Sequence, residues 1–507
     1  MPARKASDIA SLRAALREGD PQKVAALVAG GADLHFKDEH DYDALIDAVH
    51  GRPISSDSRL IEILELLIAH RVCLSGVSSY SESGLRVLSR LGRFDAIRLL
   101  LGAGADRSQL QWTPLMEAVA LGTLADVEAT LAQKPAMEEV DWWDRTAWLL
   151  AIVTGDIRKA QLLAGSGANQ QARGRCGQPP LFHAITSGRV EMLRWVLENG
   201  AAINQTDDFG HTPLMNAVES NCIECVKGLL EAGADVHVDS NGTAINRAES
   251  RDIILELLEA GAAPAHMTSE GTRAVLGLPP ADDGLLSEVT LKQFEQAQTR
   301  RFGNANPQRM DFPFWHAMIR SGATGWGPRT KFGRTGLEYG KPVWCANRFG
   351  QTLTLLPDGQ SVQIGGEHED HYDPDFCIYN DVFVHKPDGS LAILGYPRSV
   401  FPPTDFHTAT LMGESIIIIG CLGYGEDRHY GHTPVYRLHL HTWRIEAVAS
   451  SGPSPGWIYK HRAQAISEHE IRIWGGTVVT SDGRSDSHGE NPQSFIFDQR
   501  EGRWRKG

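Results

Sequence analysis

The chain has 507 residues, 42% of them hydrophobic and 22% charged, which excludes a disordered chain and is enough for two or three separately cored domains. A formal charge of −14 gives no broad electrostatic footing for nucleic acid or an anionic membrane, so neither is expected as a partner. Seven cysteines, at 73, 176, 222, 225, 345, 377 and 421, are odd in number and scattered, which excludes a secreted disulfide framework and points to a reducing cytoplasm.

The opening stretch, MPARKASDIASLRAALREGD, lacks an apolar core of signal-peptide length, and the most apolar run, Ile416 to Ile419, is too short to cross a bilayer. From there a period takes over. Thr113-Pro114-Leu115, Thr146-Ala147-Trp148, Pro179-Pro180-Leu181 and Thr212-Pro213-Leu214 stand 33 residues apart, and so do Gly167-Ala168-Asn169, Gly200-Ala201-Ala202 and Gly233-Ala234-Asp235. Within one unit, Thr212 is placed to cap a first helix with Pro213 in its first turn. Leu214, Ala217 and Val218 then recur at helical spacing. A second helix carries Ile223, Val226, Leu229 and Leu230 on one face and ends at Gly233. Neither helix buries that face alone, so neighbouring units must stack to share one core.

These triplets and this period resemble the ankyrin repeat. The resemblance implies an α-solenoid over residues 1–268, about eight units with irregular outer ones and an insertion near Gly51 to Asp57 in the second. The fourth unit departs by carrying Lys134-Pro135-Ala136 in place of the Gly-Ala turn. The family histidine position holds Met116, Phe182 or Met215, which should weaken bonding between hairpin loops. The resemblance also implies a protein partner gripped by the loop tips and the start of each first helix. Carried over residue by residue, the tips are Leu110 and Trp112; Trp142, Trp143 and Arg145; Arg175 and Gln178; and Asp208, Phe209 and His211. Exposed tryptophans there read as contact sites, since Trp, Tyr and Arg dominate binding hot spots; the alternative is that Trp142 and Trp143 fold back as packing.

Leu278-Pro279-Pro280 to Gly284 marks a boundary inside a helical linker or docking segment, 269–342. Two helices are expected there, one from Leu285 to about Arg301 and one over Phe312 to Ile319. From Val343 the pattern switches to period two. Gly365-Gly366, Gly420 and Gly475-Gly476 close apolar strands 55 residues apart, and Trp443 and Trp504 close the second and third units. This resembles the kelch motif, whose four-stranded blades close into a propeller, although Leu391 stands where the first tryptophan would be. The fold class is therefore multidomain α and β: an ankyrin solenoid followed by an all-β kelch- or propeller-like domain over 343–507. Three blades are few for a ring. Residues 285–342 could supply a degenerate blade, two chains could complete one ring as a homodimer, or a monomer could close in a smaller arrangement.

After each glycine closure the sequence is rich in histidine and acid. If equivalent loops share a face, His368, His371, His429, His432 and His488 could converge on a divalent metal that activates water; otherwise they are solvated loops with no cofactor. Cys222-Ile-Glu-Cys225 has the spacing of half a zinc site but reads as core packing. His407 and His461 are expected to hydrogen-bond between blades. No phosphate loop, nucleophile elbow or dinucleotide fingerprint is present. The two functional readings are a protein-recognition adaptor acting through the solenoid groove and tips, and a metal-dependent enzyme or ligand receptor built on the β domain.

Overall fold

The computed structural model describes residues 2–50, 57–240, 242–333, 342–370 and 373–507. All but Asp57 of the insertion expected in the second unit, and His371, lie outside these residues. Two compact units divide the chain: Met1–Ala248 with Glu259–Ala262, and Glu249–Leu258 with Ala263–Gly507.

The first unit is a succession of helix pairs, among them Pro114–Leu121 with Leu124–Leu131, Ala147–Thr154 with Ile157–Gly165, Pro180–Thr186 with Val190–Glu198, and Pro213–Glu219 with Ile223–Glu231. Each start is fixed locally. Thr113, Thr146 and Thr212 hydroxyls accept the amides of Met116, Leu149 and Met215 at 3.3, 3.4 and 3.2 Å, caps of about 1 kcal/mol each. At the sixth unit Pro179 replaces the threonine and no side chain caps the helix. Each pair ends in a left-handed residue: Gly167, Gly200 and Gly233 have φ of 92°, 88° and 89°, and Lys134 adopts 54° where the fourth unit lacks glycine. The first helices of successive pairs pack on one another. Leu214, Ala217, Val218, Val226 and Leu229 are buried, and Cys225 joins them as core.

The second unit begins with helices. Thr290 and Gln293 form a reciprocal capping box that starts a helix at Leu291–Ala297, shorter than the expected 285–301. Pro313–Ser321 is the second helix. Three antiparallel sheets follow, each containing a four-stranded meander. The first comprises Thr352–Leu355, Ser361–Ile364, Val382–His385 and Leu391–Gly395, with Gln308–Arg309 added at its edge. The second comprises Thr408–Met412, Ser415–Ile419, Val435–His439 and Ile445–Ala447, and the third Arg462–Ala465, Glu470–Trp474, Ser494–Asp498 and Arg503–Lys506. No closed propeller is formed by the described residues.

Register explains how the sheets stack. Val362, Ile364, Val382 and Val384 share a core with Ile416, Ile418 and Leu438 of the second sheet. Ile417, Ile419 and Val435, on its opposite face, share one with Ile471, Ile473, Phe495, Phe497 and Trp504 of the third. A strand buried on both faces must be apolar throughout, hence the isoleucine run. The other face of the first sheet, with Phe383 and Ile393, lies against Phe294, Phe314 and Trp315 of the helical segment and against Trp344 just beyond it, and the Trp315 and Trp344 rings stack at 4.6 Å. The described part of 285–342 is therefore a mainly helical cap that lends the first sheet one edge strand, Gln308–Arg309, and it forms no four-stranded unit of its own. On the third sheet, Arg472 alternates with the inward Ile471 and Ile473, and it is exposed together with Arg462, Gln464 and Arg505. The stack thus ends on a charged face.

Inter-sheet hydrogen bonds recur. His407 Nε2 lies 2.8 Å from Thr352 Oγ1, and His461 Nε2 lies 2.9 Å from Thr408 Oγ1, which gives both histidines their expected place between sheets. Phe406 donates its amide to the Gly350 carbonyl and Lys460 its own to Phe406, both at 2.9 Å.

Candidate recognition surface

The hairpin tips of the first unit are joined by a backbone ladder. The amides of Trp142, Arg175 and Asp208 donate to the carbonyls of Leu110, Trp143 and Cys176 at 3.1, 3.0 and 3.0 Å. Backbone groups thus supply the bonding between loops that the missing family histidine was expected to weaken. Aspartates organise two of these tips. Asp141 Oδ1 accepts the amides of Trp143 and Arg145, both at 2.9 Å, and Asp207 Oδ1 accepts those of Phe209 and His211 at 3.0 and 2.8 Å. Such local side-chain to backbone bonds fix a turn independently of any periodic pattern. Asp141 and Asp207 were missed in the sequence, although an Asp two and four residues ahead of the amides it caps was legible as an Asx turn.

The expected tip residues separate into two groups. Leu110 is 1% exposed and belongs to the core. Arg145 is 2% exposed, a correction to its reading as a contact residue: it is bonded to Asp141 Oδ2 at 2.6 Å and to the Ser89 carbonyl at 2.9 Å. A buried guanidinium needs such partners, since an unpaired charge there would be prohibitively costly. The remaining residues reach the surface. Phe209 is 59% exposed and Asp208 is exposed, while His211, Gln178, Arg175, Trp112, Trp142 and Trp143 are half-buried. His211 Nδ1 lies 3.5 Å from Asp207, and Gln178 closes its turn by accepting the Gly174 amide at 2.9 Å.

Trp142 and Trp143 are therefore not freely exposed, and arginines cover them. The Arg86 guanidinium carbon lies 3.4 Å from the centre of the Trp142 ring. Arg175 stands 5.3 Å from Trp142 and 4.9 Å from Trp143, and Arg90 stands 5.1 Å from Trp143. Trp143 Nε1 donates to the Arg86 carbonyl at 2.8 Å. Cation–π contacts of this kind contribute about 0.5–2 kcal/mol each, most when shielded from water. Arg86 and Arg90, on the helix Gly84–Arg90, lie more than fifty residues before the indoles, and no repeat spacing connects them.

The histidine-rich segments behave differently from loops. Two of the three are hairpins that follow the second strands of the first and third meanders and lie in sheets of their own, Glu367–Asp370 with Asp373–Ile378, and Thr477–Ser481 with Asp486–Glu490, the latter also paired with Trp457–Tyr459. His368 is buried with Nδ1 3.3 Å from the Asn347 carbonyl. His429 and His432 are exposed, and His488 Nδ1 lies 3.2 Å from the Tyr459 hydroxyl. Among the described residues no three His, Cys, Asp or Glu side chains come together as a ligand set. The acid of the third segment is instead consumed by its neighbours: Arg428 pairs with Asp486, and Tyr430 donates to it at 2.6 Å. Nearby, burial and the adjacent Asp405 carboxyl push Glu367 up to about 7, and burial also raises Asp405. The Asp405 carboxyl disfavours the charge of Glu367, so Glu367 keeps its proton to higher pH than a solvated carboxyl does.

Among the described residues no helix is long and apolar enough to cross a membrane. Residues 149–240 and 199–268 match the family model of ankyrin repeats (3 copies). No curated protein matches the chain. Ankyrin repeats are therefore established in the N-terminal half of this chain.

Proposed function

We propose that this protein is a recognition adaptor that holds a protein partner on the hairpin tips of its ankyrin half. The observation that carries the reading is the ridge formed by Trp142, Trp143, Arg175 and Phe209, large side chains held on a hydrogen-bonded backbone ladder. Ankyrin repeats serve generally in protein–protein interaction, and an ordered aromatic and arginine ridge loses little conformational entropy on binding. The three four-stranded sheets are, in this reading, kelch-like blades that offer a second surface. Their charged terminal face favours a monomer over a ring shared by two chains. All seven cysteines are free thiols, which suits a cytoplasmic setting.

The test is capture of partners from the source proteome by the full chain, its Trp142→Ala/Trp143→Ala/Phe209→Ala variant and a His429→Ala/His432→Ala variant. The reading expects the first variant to lose the partner at least ten-fold and the second to keep it. Unchanged capture by the tip variant would remove the assignment.

A further inference from the structure

Resting on the tip-recognition reading, we propose that the Arg86–Trp142–Arg175–Trp143–Arg90 stack receives an acidic segment of the partner, in which carboxylates flank an apolar side chain. The stack alternates cation and indole, with guanidinium carbons 3.4 to 5.3 Å from the ring centres. Its positive charge is incompletely neutralised. Arg175 pairs with Asp144 at 3.0 Å, and Arg90 reaches Glu82 only at 3.6 Å. Arg86 has no carboxylate partner among the described residues; its Nε donates to the Gln109 carbonyl at 3.0 Å and its Nη1 to the Ser81 carbonyl. Three guanidinium groups thus face two carboxylates on the tips of a chain whose formal charge is −14.

Burial and the charge of Arg175 both hold the Arg86 guanidinium below its ordinary value, the sign expected where like charges gather without a counter-ion. A carboxylate supplied from outside would relieve that repulsion, and the planar forks are already oriented by their ring and carbonyl contacts. The half-buried indoles leave an apolar edge beside each fork, which accounts for the apolar side chain between the acids. A basic segment would meet Arg86, Arg90 and Arg175 directly and is disfavoured by the same arrangement.

The probe is a fluorescein-labelled peptide of alternating Glu and Leu, with a twin carrying Gln for every Glu, titrated into the full chain by fluorescence anisotropy. The expected result is binding of the Glu peptide at least ten-fold tighter than the Gln twin. Arg86→Gln/Arg175→Gln should lose that preference, Arg86→Lys/Arg175→Lys should keep part of it, and Arg503→Gln/Arg505→Gln on the third sheet should leave it unchanged. Equal binding of the two peptides, no binding of either, or a preference untouched by Arg86→Gln/Arg175→Gln would overturn the proposal, and the twin-peptide arm does so without any variant having to fold. Failure here is separable from failure of the tip surface itself. A partner lost by Trp142→Ala/Trp143→Ala/Phe209→Ala yet kept by Arg86→Gln/Arg175→Gln leaves the ridge standing and removes only its acidic ligand.

Discussion

Arg145 and Asp141 form an ion pair at 2.6 Å with side chains 2% and 1% exposed. Removing one partner of a buried pair strands the other charge, so Arg145→Met should destabilise the chain by about 3–5 kcal/mol. Asp141 also accepts two backbone amides, which an asparagine can still accept. The Arg145→Met/Asp141→Asn double variant should therefore be more stable than Arg145→Met alone. Urea denaturation of the parent chain and the two variants decides it, and a double variant no more stable than Arg145→Met would refute the assignment. At this scale the 33-residue comparison placed Arg145 correctly on a hairpin and wrongly on its surface. Its burial depends on Ser89, 56 residues earlier, and no local pattern encodes that approach.

Turns at the ends of strands set a stricter requirement than the strands themselves. Gly420 has φ of 70°, and a Cβ there would stand 2.3 Å from the Ile458 carbonyl oxygen, the same oxygen that accepts the Cys421 amide. Gly389 has φ of 79° with nothing within 4 Å of the added carbon. Gly420→Ala should thus cost about 3 kcal/mol, from strain and overlap together, and Gly389→Ala about 1 kcal/mol, from strain alone. Chemical denaturation yielding equal losses would show that the inter-sheet approach is unimportant. The 55-residue glycine period made the Gly420 turn visible in the sequence. The hairpin Glu367–Asp370 with Asp373–Ile378 was not visible, because its acid- and histidine-rich sequence carries no alternation of apolar residues. A legible signal was overlooked in the third sheet: Ile471-Arg472-Ile473 alternates where Ile416 to Ile419 does not, and that contrast separates a terminal sheet from an internal one.

Across the whole molecule, buried neutral histidines set the response to acid. Burial pushes His407 and His461 down to about 3 and His385 down to about 4 in the second unit, and burial with the Arg145 charge pushes His183 down to about 3 in the first. A folded value below the unfolded one of about 6.5 means that the unfolded chain takes up the proton first. Stability from these groups is complete above pH 6.5 and is lost as pH falls toward 4 and then 3, at up to about 1.4 kcal/mol per pH unit for each histidine. Glu367, raised to about 7, acts in the opposite sense, since the folded state holds its proton. Between pH 6.5 and 4.5 these five groups alone therefore give the second unit a net slope of about two protons and the first about one. Hydrogen exchange followed by mass spectrometry, corrected for intrinsic rates, should show protection falling faster in the sheets than in the repeat helices. His407→Gln/His461→Gln should bring the slope of the sheets to about zero, below that of the repeat helices, and an unchanged slope in the sheets would exclude these histidines as the cause.

What the sequence by itself determined is whatever is written at short range: helix starts at Thr113, Thr146 and Thr212, left-handed stops at glycine, the 33- and 55-residue periods, and hence the order of a helical repeat half and a strand-rich half. A cap, a turn or an amphipathic face is decided by residues within a few positions of one another, so their types suffice. Only the tertiary structure decided that Arg86 and Arg90 come to lie over Trp142 and Trp143, that Arg428 takes Asp486 from any ligand set, and that a helical cap and a charged face end the stack of sheets. Those outcomes depend on the packing of segments far apart in the chain, where distance and burial, and not residue type, select the partner.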